Sequence, residues 1–210
     1  MSQFFTIHPD NPNSRLIRQA AAVLRDGGIV VYPTDSCYAL GCHLDDKDAV
    51  ARIRQIRQLD ERHHLTLMCR DLSEISRYAQ VDNTKFRLLK ANTPGSYTFI
   101  LDATKEVPRR LQHPKRSTIG IRIPDHPVAL ALLEELGEPI LSSTLILPGE
   151  EWPLNDAGRI RELLETKVDL VIDGGPVGFD FTTVIDLTGD VPVLLRQGKG
   201  DITPFGIEVL

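Results

Sequence analysis

The groups in this 210-residue sequence that can do chemistry are hydroxyls and arginines set on otherwise apolar elements. The run YPTDSCYALGC follows the apolar IVVY, so Thr34, Asp35 and Ser36 fall in a polar turn at the end of a strand. Such a turn at the edge of an open α/β sheet is where ligands bind. Thr34 can donate and accept, Tyr38 offers a flat wall with a polar tip, and Gly41 permits close backbone approach. The same residues would equally serve a turn whose hydroxyls bond their own backbone. Arg57 lies seven residues after Val50 and four after Ile53, on the apolar side of its helix. There it points to the interior or a cleft, or else complements the helix dipole with a snorkelling stem. Arg52 falls off that side and is expected in solvent. In TIGIRI, alternation puts Thr118, Gly120 and Arg122 on one face and three isoleucines on the other. An arginine so placed can fork a carboxylate or phosphate, or form a buried ion pair with Asp125 or Asp35. Ser142, Ser143 and Thr144 are three successive hydroxyls in an apolar strand, costly unless backbone, water or ligand satisfies them. Thr182, Thr183 and Arg196 complete the set.

Other chemistries lack their residues. There is no GxxxxGK[ST], no GxGxxG after a strand and no GxSxG. His63 and His64 are adjacent, so their side chains diverge, and no second His/Cys cluster stands near them. They read as loop residues, and no metal site is expected. Cys37, Cys42 and Cys69 are odd in number and show no CxxC spacing, which suits reduced thiols in a cytosol.

The elements that must position these groups alternate. Ser14 is placed to cap a helix to about Asp26, ended by Gly27-Gly28, and 29–32 reads as a buried strand. A helix from Asp45 or Asp46 to Leu59 precedes a strand at 65–69 and two short helices near 72–79 and 82–91. Strands are expected at 97–101 and 118–123, a helix at 126–136, a strand at 139–147, a helix at 155–166, and strands at 168–172, 182–187 and 192–196. Helix–strand alternation giving way to closely spaced strands implies an α/β fold with an open mixed sheet in one domain, 1–210.

Composition fits. Charged residues make up 25% and hydrophobic ones 41%, the N-terminus has no signal-peptide pattern, and no apolar run reaches membrane-span length. A cytoplasmic protein without a membrane partner is expected. The net charge of −5 argues against a molecule-wide attraction to nucleic acid. Yet Arg52, Arg54, Arg57 and Arg62 cluster, as do Arg109, Arg110, Lys115, Arg116 and Arg122. A locally positive cleft suits a small anion or a limited RNA contact.

Taken in order, GGIVVYPTDSCYALGC, PGSYTFIL, TIGIRIPDHP, the hydroxyl-rich strand, VDLVIDGG, TTVIDL and LLRQG resemble the YrdC/YciO family, nearest its YciO branch, across nearly the whole chain. The resemblance implies a twisted open-sheet domain with a concave positive cleft. It also implies synthesis of threonylcarbamoyl-adenylate from L-threonine, bicarbonate and ATP, with Mg²⁺ on the phosphates, for modification of adenosine 37 in tRNA. Binding of tRNA or double-stranded RNA without catalysis, or a related carbamoyl adenylation, is the alternative. By the resemblance Thr34, Tyr38, Arg122 and Thr183 face threonine, and Arg57, Thr118, Ser143, Thr144 and Arg196 lie on the nucleotide side. Two positions depart. The family's Lys-x-Arg reads Arg57-Gln58-Leu59, and its Ser-x-Asn reads Thr144-Leu145-Ile146. Losing one charge-assisted and one neutral hydrogen bond is expected to weaken nucleotide binding by roughly two to three orders of magnitude, with Arg62 or His63 near enough in sequence to compensate.

Overall fold

A computed structural model describes residues 1–60 and 62–207. Ten strands form one mixed sheet: β1 (Gln3–Thr6), β2 (Val30–Tyr32), β3 (Ala39–His43), β4 (Thr66–Met68), β5 (Tyr97–Asp102), β6 (Thr118–Arg122), β7 (Ile140–Thr144), β8 (Leu170–Asp173), β9 (Thr183–Asp186) and β10 (Val193–Arg196). Their order across the sheet is β1-β8-β2-β3-β7-β4-β6-β5-β9-β10. The helices are α1 (Ser14–Arg25), α2 (Lys47–Arg57), α3 (Leu72–Tyr78), α4 (Asn83–Asn92), α5 (Pro127–Leu136) and α6 (Ala157–Leu164). The expected α/β architecture with an open mixed sheet is the observed one. No helix among the described residues is long and apolar enough to cross a membrane.

Three local readings change. The α1 cap is Asn13, whose Oδ1 accepts from Leu16 N at 3.1 Å, and Ser14 is the first helical residue. β1 and β3 were not anticipated. β3 contains Gly41, and glycine inside a strand pattern reads as a break. Here it marks close packing, since a Cβ would lie 2.6 Å from Ile140 Cγ2 and 2.8 Å from Tyr32 Cε1. Arg52 is half-exposed and donates to Asp169 Oδ2 at 3.1 Å rather than standing free in solvent.

Strand alternation sorts the sheet into two faces. On one, Val31, Leu40, Leu67, Ile119, Ile121, Leu141 and Ile185 pack with α2, α3, α4 and α6. On the other, Val30, Tyr32, Ala39, Ile140, Leu170 and Ile172 pack under α1 and α5. That helical layer covers the β8-β2-β3 side of the face. Farther along the same face, toward β9, the strands carry Ser142, Thr66, Gly120 and Thr98, small or polar, interspersed with Ile100 and Val184. Ser142 pairs with Thr66, Thr66 with Gly120, Gly120 with Ile100, and Thr98 with Val184. A hollow with a narrow-residue floor therefore opens beside the helices.

Candidate functional site

The hollow is a cleft of about 250 Å³, with walls from the turn after β2, the end of α2, the approach to β4, and the segment entering β9. Its lining includes Arg57, Arg122, Arg196, His63 and His64, and no aspartate or glutamate among the described residues. On a chain of net charge −5, this is a local concentration of positive charge.

Each basic group is held in place. The Asp46 cap starts α2, accepting from Ala49 N at 2.8 Å, and Ala49, Val50, Ile53 and Ile56 bury one side of the helix. Arg57, the last helical residue, follows that side into the cleft. Its Nη1 donates to Ser143 Oγ (2.5 Å) and the Thr144 carbonyl (2.7 Å). Its Nε is buried with no partner among the described residues. Burial costs the charged form solvation and so lowers its pKa, and an anionic ligand would restore that charge's stabilisation.

Arg122 points from β6 beneath the turn after β2 and is buried. Its Nη2 donates to the Asp35 carboxylate and its Nη1 to Ser36 Oγ at 3.1 Å, while its buried Nε is also unpartnered. Of the two acids the sequence offered as partners, Asp35 is the one used. Asp35 also accepts from Ser96 Oγ at 2.7 Å, and its carbonyl accepts from the Lys199 ammonium. Arg196 donates Nε and Nη2 to the Thr182 carbonyl at 3.1 and 3.0 Å, and its guanidinium lies 5.2 Å from the Phe181 ring centre. Thr182 Oγ1 meets Thr98 Oγ1 at 2.8 Å on the cleft floor.

Six of the nine residues that the resemblance assigns to the site line the cleft: Thr34, Arg57, Arg122, Ser143, Thr144 and Arg196. The Thr34 hydroxyl is nevertheless spent on its own turn. It donates to the Cys37 carbonyl at 2.6 Å and accepts from Ser36 N and Cys37 N, both at 3.2 Å. With one donor and two lone pairs so used, it has no polar capacity left for a ligand.

Tyr38, Thr118 and Thr183 do not line the cleft. Tyr38 is fully buried on the opposite side of the sheet, its hydroxyl donating to the Gly175 carbonyl at 2.7 Å and accepting from Gly174 N at 3.2 Å. Desolvation raises its pKa to about 12, so it stays a neutral tether for the loop after β8. Thr118 is on the cleft's face of β6 as alternation required, but two residues beyond Gly120 and outside the hollow. Thr183 pairs with Tyr97 across β9 and β5, whereas its neighbours Thr182 and Val184 face the cleft. A one-residue step along a strand exchanges faces, which is why the threonine beside it takes the position.

Thr183 has a structural task instead. Its Oγ1 donates to the Gly200 carbonyl (2.7 Å) and accepts from Gly198 N (3.0 Å), clamping the segment that follows Arg196. A Cβ at Gly198 would lie 2.2 Å from the Phe181 carbonyl oxygen, so that backbone approach needs glycine. Thr183→Val keeps the shape and strands two backbone groups. We expect a loss of about 1–3 kcal/mol in urea denaturation.

Sequence reasoning gives His64 no role, names His63 only as a possible replacement for a lost phosphate contact, and names Thr182 without assigning it to the site, yet all three line the cleft. The first two were read as loop residues, and they are in a loop, but one that forms the cleft mouth. Extending the β4 alternation back from Thr66 places His64 on the cleft's face, a signal that was present. Leu59 and Ile146, the departures on the phosphate side, do not line the cleft. Leu59 packs partly buried against the core, and Ile146 is half-buried. The cysteines are free and buried. Burial pushes the pKa of the Cys37 thiol up, so this cleft thiol is no ready nucleophile.

An open mixed sheet with an arginine-lined hollow beside its helical layer defines an α/β protein with a locally positive cleft. The chain belongs to the Sua5/YciO/YrdC family, described as "Telomere recombination", whose match covers residues 22–198. It is 62% identical over 205 residues to the Escherichia coli (strain K12) protein named "Uncharacterized protein YciO", covering 98% of this chain and all of that one. The crystal structure of E. coli YciO superposes with a TM-score of 0.94 at 61% identity, covering 98% of this chain and 100% of that one. A Bacillus subtilis (strain 168) protein named threonylcarbamoyl-AMP synthase is 34% identical over 188 residues, 89% of this chain and 54% of that longer one. The crystal structure of P. abyssi Sua5 complexed with L-threonine matches with a TM-score of 0.86 at 30% identity, over 94% of this chain and 58% of that one.

Proposed function

We propose that the protein joins L-threonine, bicarbonate and ATP into threonylcarbamoyl-adenylate, releasing pyrophosphate and water, as a weak member of the synthase group. The observation that carries this reading is the cleft with three arginines and no lining carboxylate among the described residues. It is supported by a relative named threonylcarbamoyl-AMP synthase and by another complexed with L-threonine.

In this reading the threonine amine attacks the carbon of bicarbonate-derived CO₂ and loses a proton. A carbamate oxygen then attacks the α-phosphorus, and the bond to the bridging oxygen of the β-phosphate breaks. Arg122, held by Asp35 and Ser36, meets the amino-acid carboxylate through the donors they leave free, while Arg57, with Ser143 beside it, and Arg196 hold phosphoryl charge as it redistributes. The chain contributes position and charge rather than a general base. No group of three or more His, Cys, Asp or Glu side chains that could hold a metal occurs among the described residues. Mg²⁺ is therefore assigned to the substrate, carried on the ATP phosphates with water as its other ligands.

With pure protein, threonine, bicarbonate and MgATP, pyrophosphate release should depend on threonine, and ATP and threonine should each raise the melting temperature. Release no faster than with boiled protein overturns the proposal.

A second reading, RNA binding without catalysis, has its own observation. A groove of about 530 Å³ is lined by Lys47, Arg54, Arg62, Arg109 and Arg110. It predicts RNA binding that weakens steeply with salt and that ATP does not displace.

A further inference from the structure

Two cleft histidines take no part in the chemistry above. His63 and His64 sit in the turn leading to β4 and face the same hollow as Arg57. Arg57 has already committed Nη1 to Ser143 and Thr144, and Leu59, two residues on, is apolar and packs against the core. An incoming phosphoryl group therefore meets, beside Arg57, an imidazole pair at the cleft mouth. Arg62 lines the neighbouring groove instead.

We propose that His63, with His64 beside it, is a phosphoryl-binding subsite at the cleft mouth that takes up a proton as its anion binds. The proposal rests on the nucleotide reading of the cleft, but its test needs no turnover.

The surroundings fit proton uptake. Around His63 stand Arg57 at the end of α2, Arg54 one turn earlier, Arg196 from β10, and Asp60. Arg54 Nη1 donates to the Asp60 and His63 carbonyls, each at 2.8 Å, which fixes the turn. Asp60 Oδ1 is occupied by the backbone N–H groups of Arg62 and His63, at 2.9 and 3.0 Å. His64 faces the His113 ring, centre to centre 4.8 Å, with His63 and Arg54 also close. Burial first, and then these neighbouring positive groups, lower both histidine pKa values below the usual 6.5. Both therefore favour the neutral form in the free protein more than an ordinary histidine does. A dianion beside them reverses the local balance and favours the imidazolium. The sign follows: anion affinity rises as pH falls toward and below 6.5, while the free protein loses stability over that range because its unfolded histidines bind protons more readily.

Sulfate is the probe, because it mimics a phosphoryl group and does not titrate near neutral pH. Imidazole NMR should show the His63 midpoint rising by about one pH unit at saturating sulfate, with affinity increasing up to about tenfold per pH unit across that interval. His63→Asn should remove that pH dependence while its circular dichroism stays unchanged, and His64→Asn should reduce it. Unmoved midpoints, no saturable sulfate binding at pH 6, or an undiminished pH dependence in H63N each overturn the subsite. Normal sulfate behaviour without pyrophosphate release would instead overturn the synthase reading and leave the subsite standing.

Discussion

Arg122→Ala is expected to abolish threonine-dependent turnover and to destabilise the fold by about 3–5 kcal/mol, because it leaves the Asp35 carboxylate buried without its cation. The pair is enclosed, with side-chain exposures of 5% and 11%. Against a typical total stability of about 5–15 kcal/mol, the single variant risks not folding. Arg122→Met combined with Asp35→Asn removes both charges and should recover much of the lost stability. In calorimetry the double variant should still lose threonine affinity by about tenfold to a hundredfold, since the charge-assisted contact to the amino-acid carboxylate is gone. Arg122→Lys should rescue little, because a point charge cannot serve Asp35, Ser36 and a ligand in the same fixed geometry. Unchanged threonine affinity in the double variant would remove Arg122 from the site.

Arg57→Ala is expected to leave the fold nearly intact and to weaken ATP binding by about tenfold to a hundredfold. The guanidinium is only half-buried and its established bonds are to Ser143 Oγ and one carbonyl, so water can replace it in the free protein. A bound phosphate would lose a charge-assisted contact and keep only Arg196 and the cleft histidines. Threonine affinity should not change, since Arg122 hangs from the Asp35–Ser36 turn and not from α2. Titration of each variant with both ligands checks this division. Equal losses for ATP and threonine would mean that Arg57 acts through the fold.

How much of this was legible in the sequence depends on the element. Strand periodicity placed Gly120 and Arg122 on one face of β6, and the helical spacing from Val50 and Ile53 carried Arg57 toward the cleft; both hold in space. These are period arguments, and the elements are long enough for a period to register. Thr183 was assigned through resemblance against its own strand phase, and the phase prevails, putting Thr182 in the cleft. Tyr38 looked like a wall because it follows the polar turn, but β3 begins directly after it and its ring packs into the core on the other face. β3 itself was hidden by Gly41, whose role depends on Ile140 and Tyr32, residues distant in sequence or folded back by the turn. The ion pair of Arg122 with Asp35 joins residues 87 apart, so sequence could offer it only beside Asp125. Spent hydrogen-bond capacity, as at Thr34, is visible only when every partner is in place.

The most direct test of the account is a search for the product itself. Protein incubated with ¹³C-bicarbonate, L-threonine and MgATP should yield one species, resolved by mass spectrometry, that contains AMP, the threonyl group and the labelled carbon together. It should be absent when threonine is omitted and absent with the R122M/D35N variant. ATP and threonine both bound by a folded protein, with no such labelled adduct formed, would contradict the account and leave a binding protein in its place.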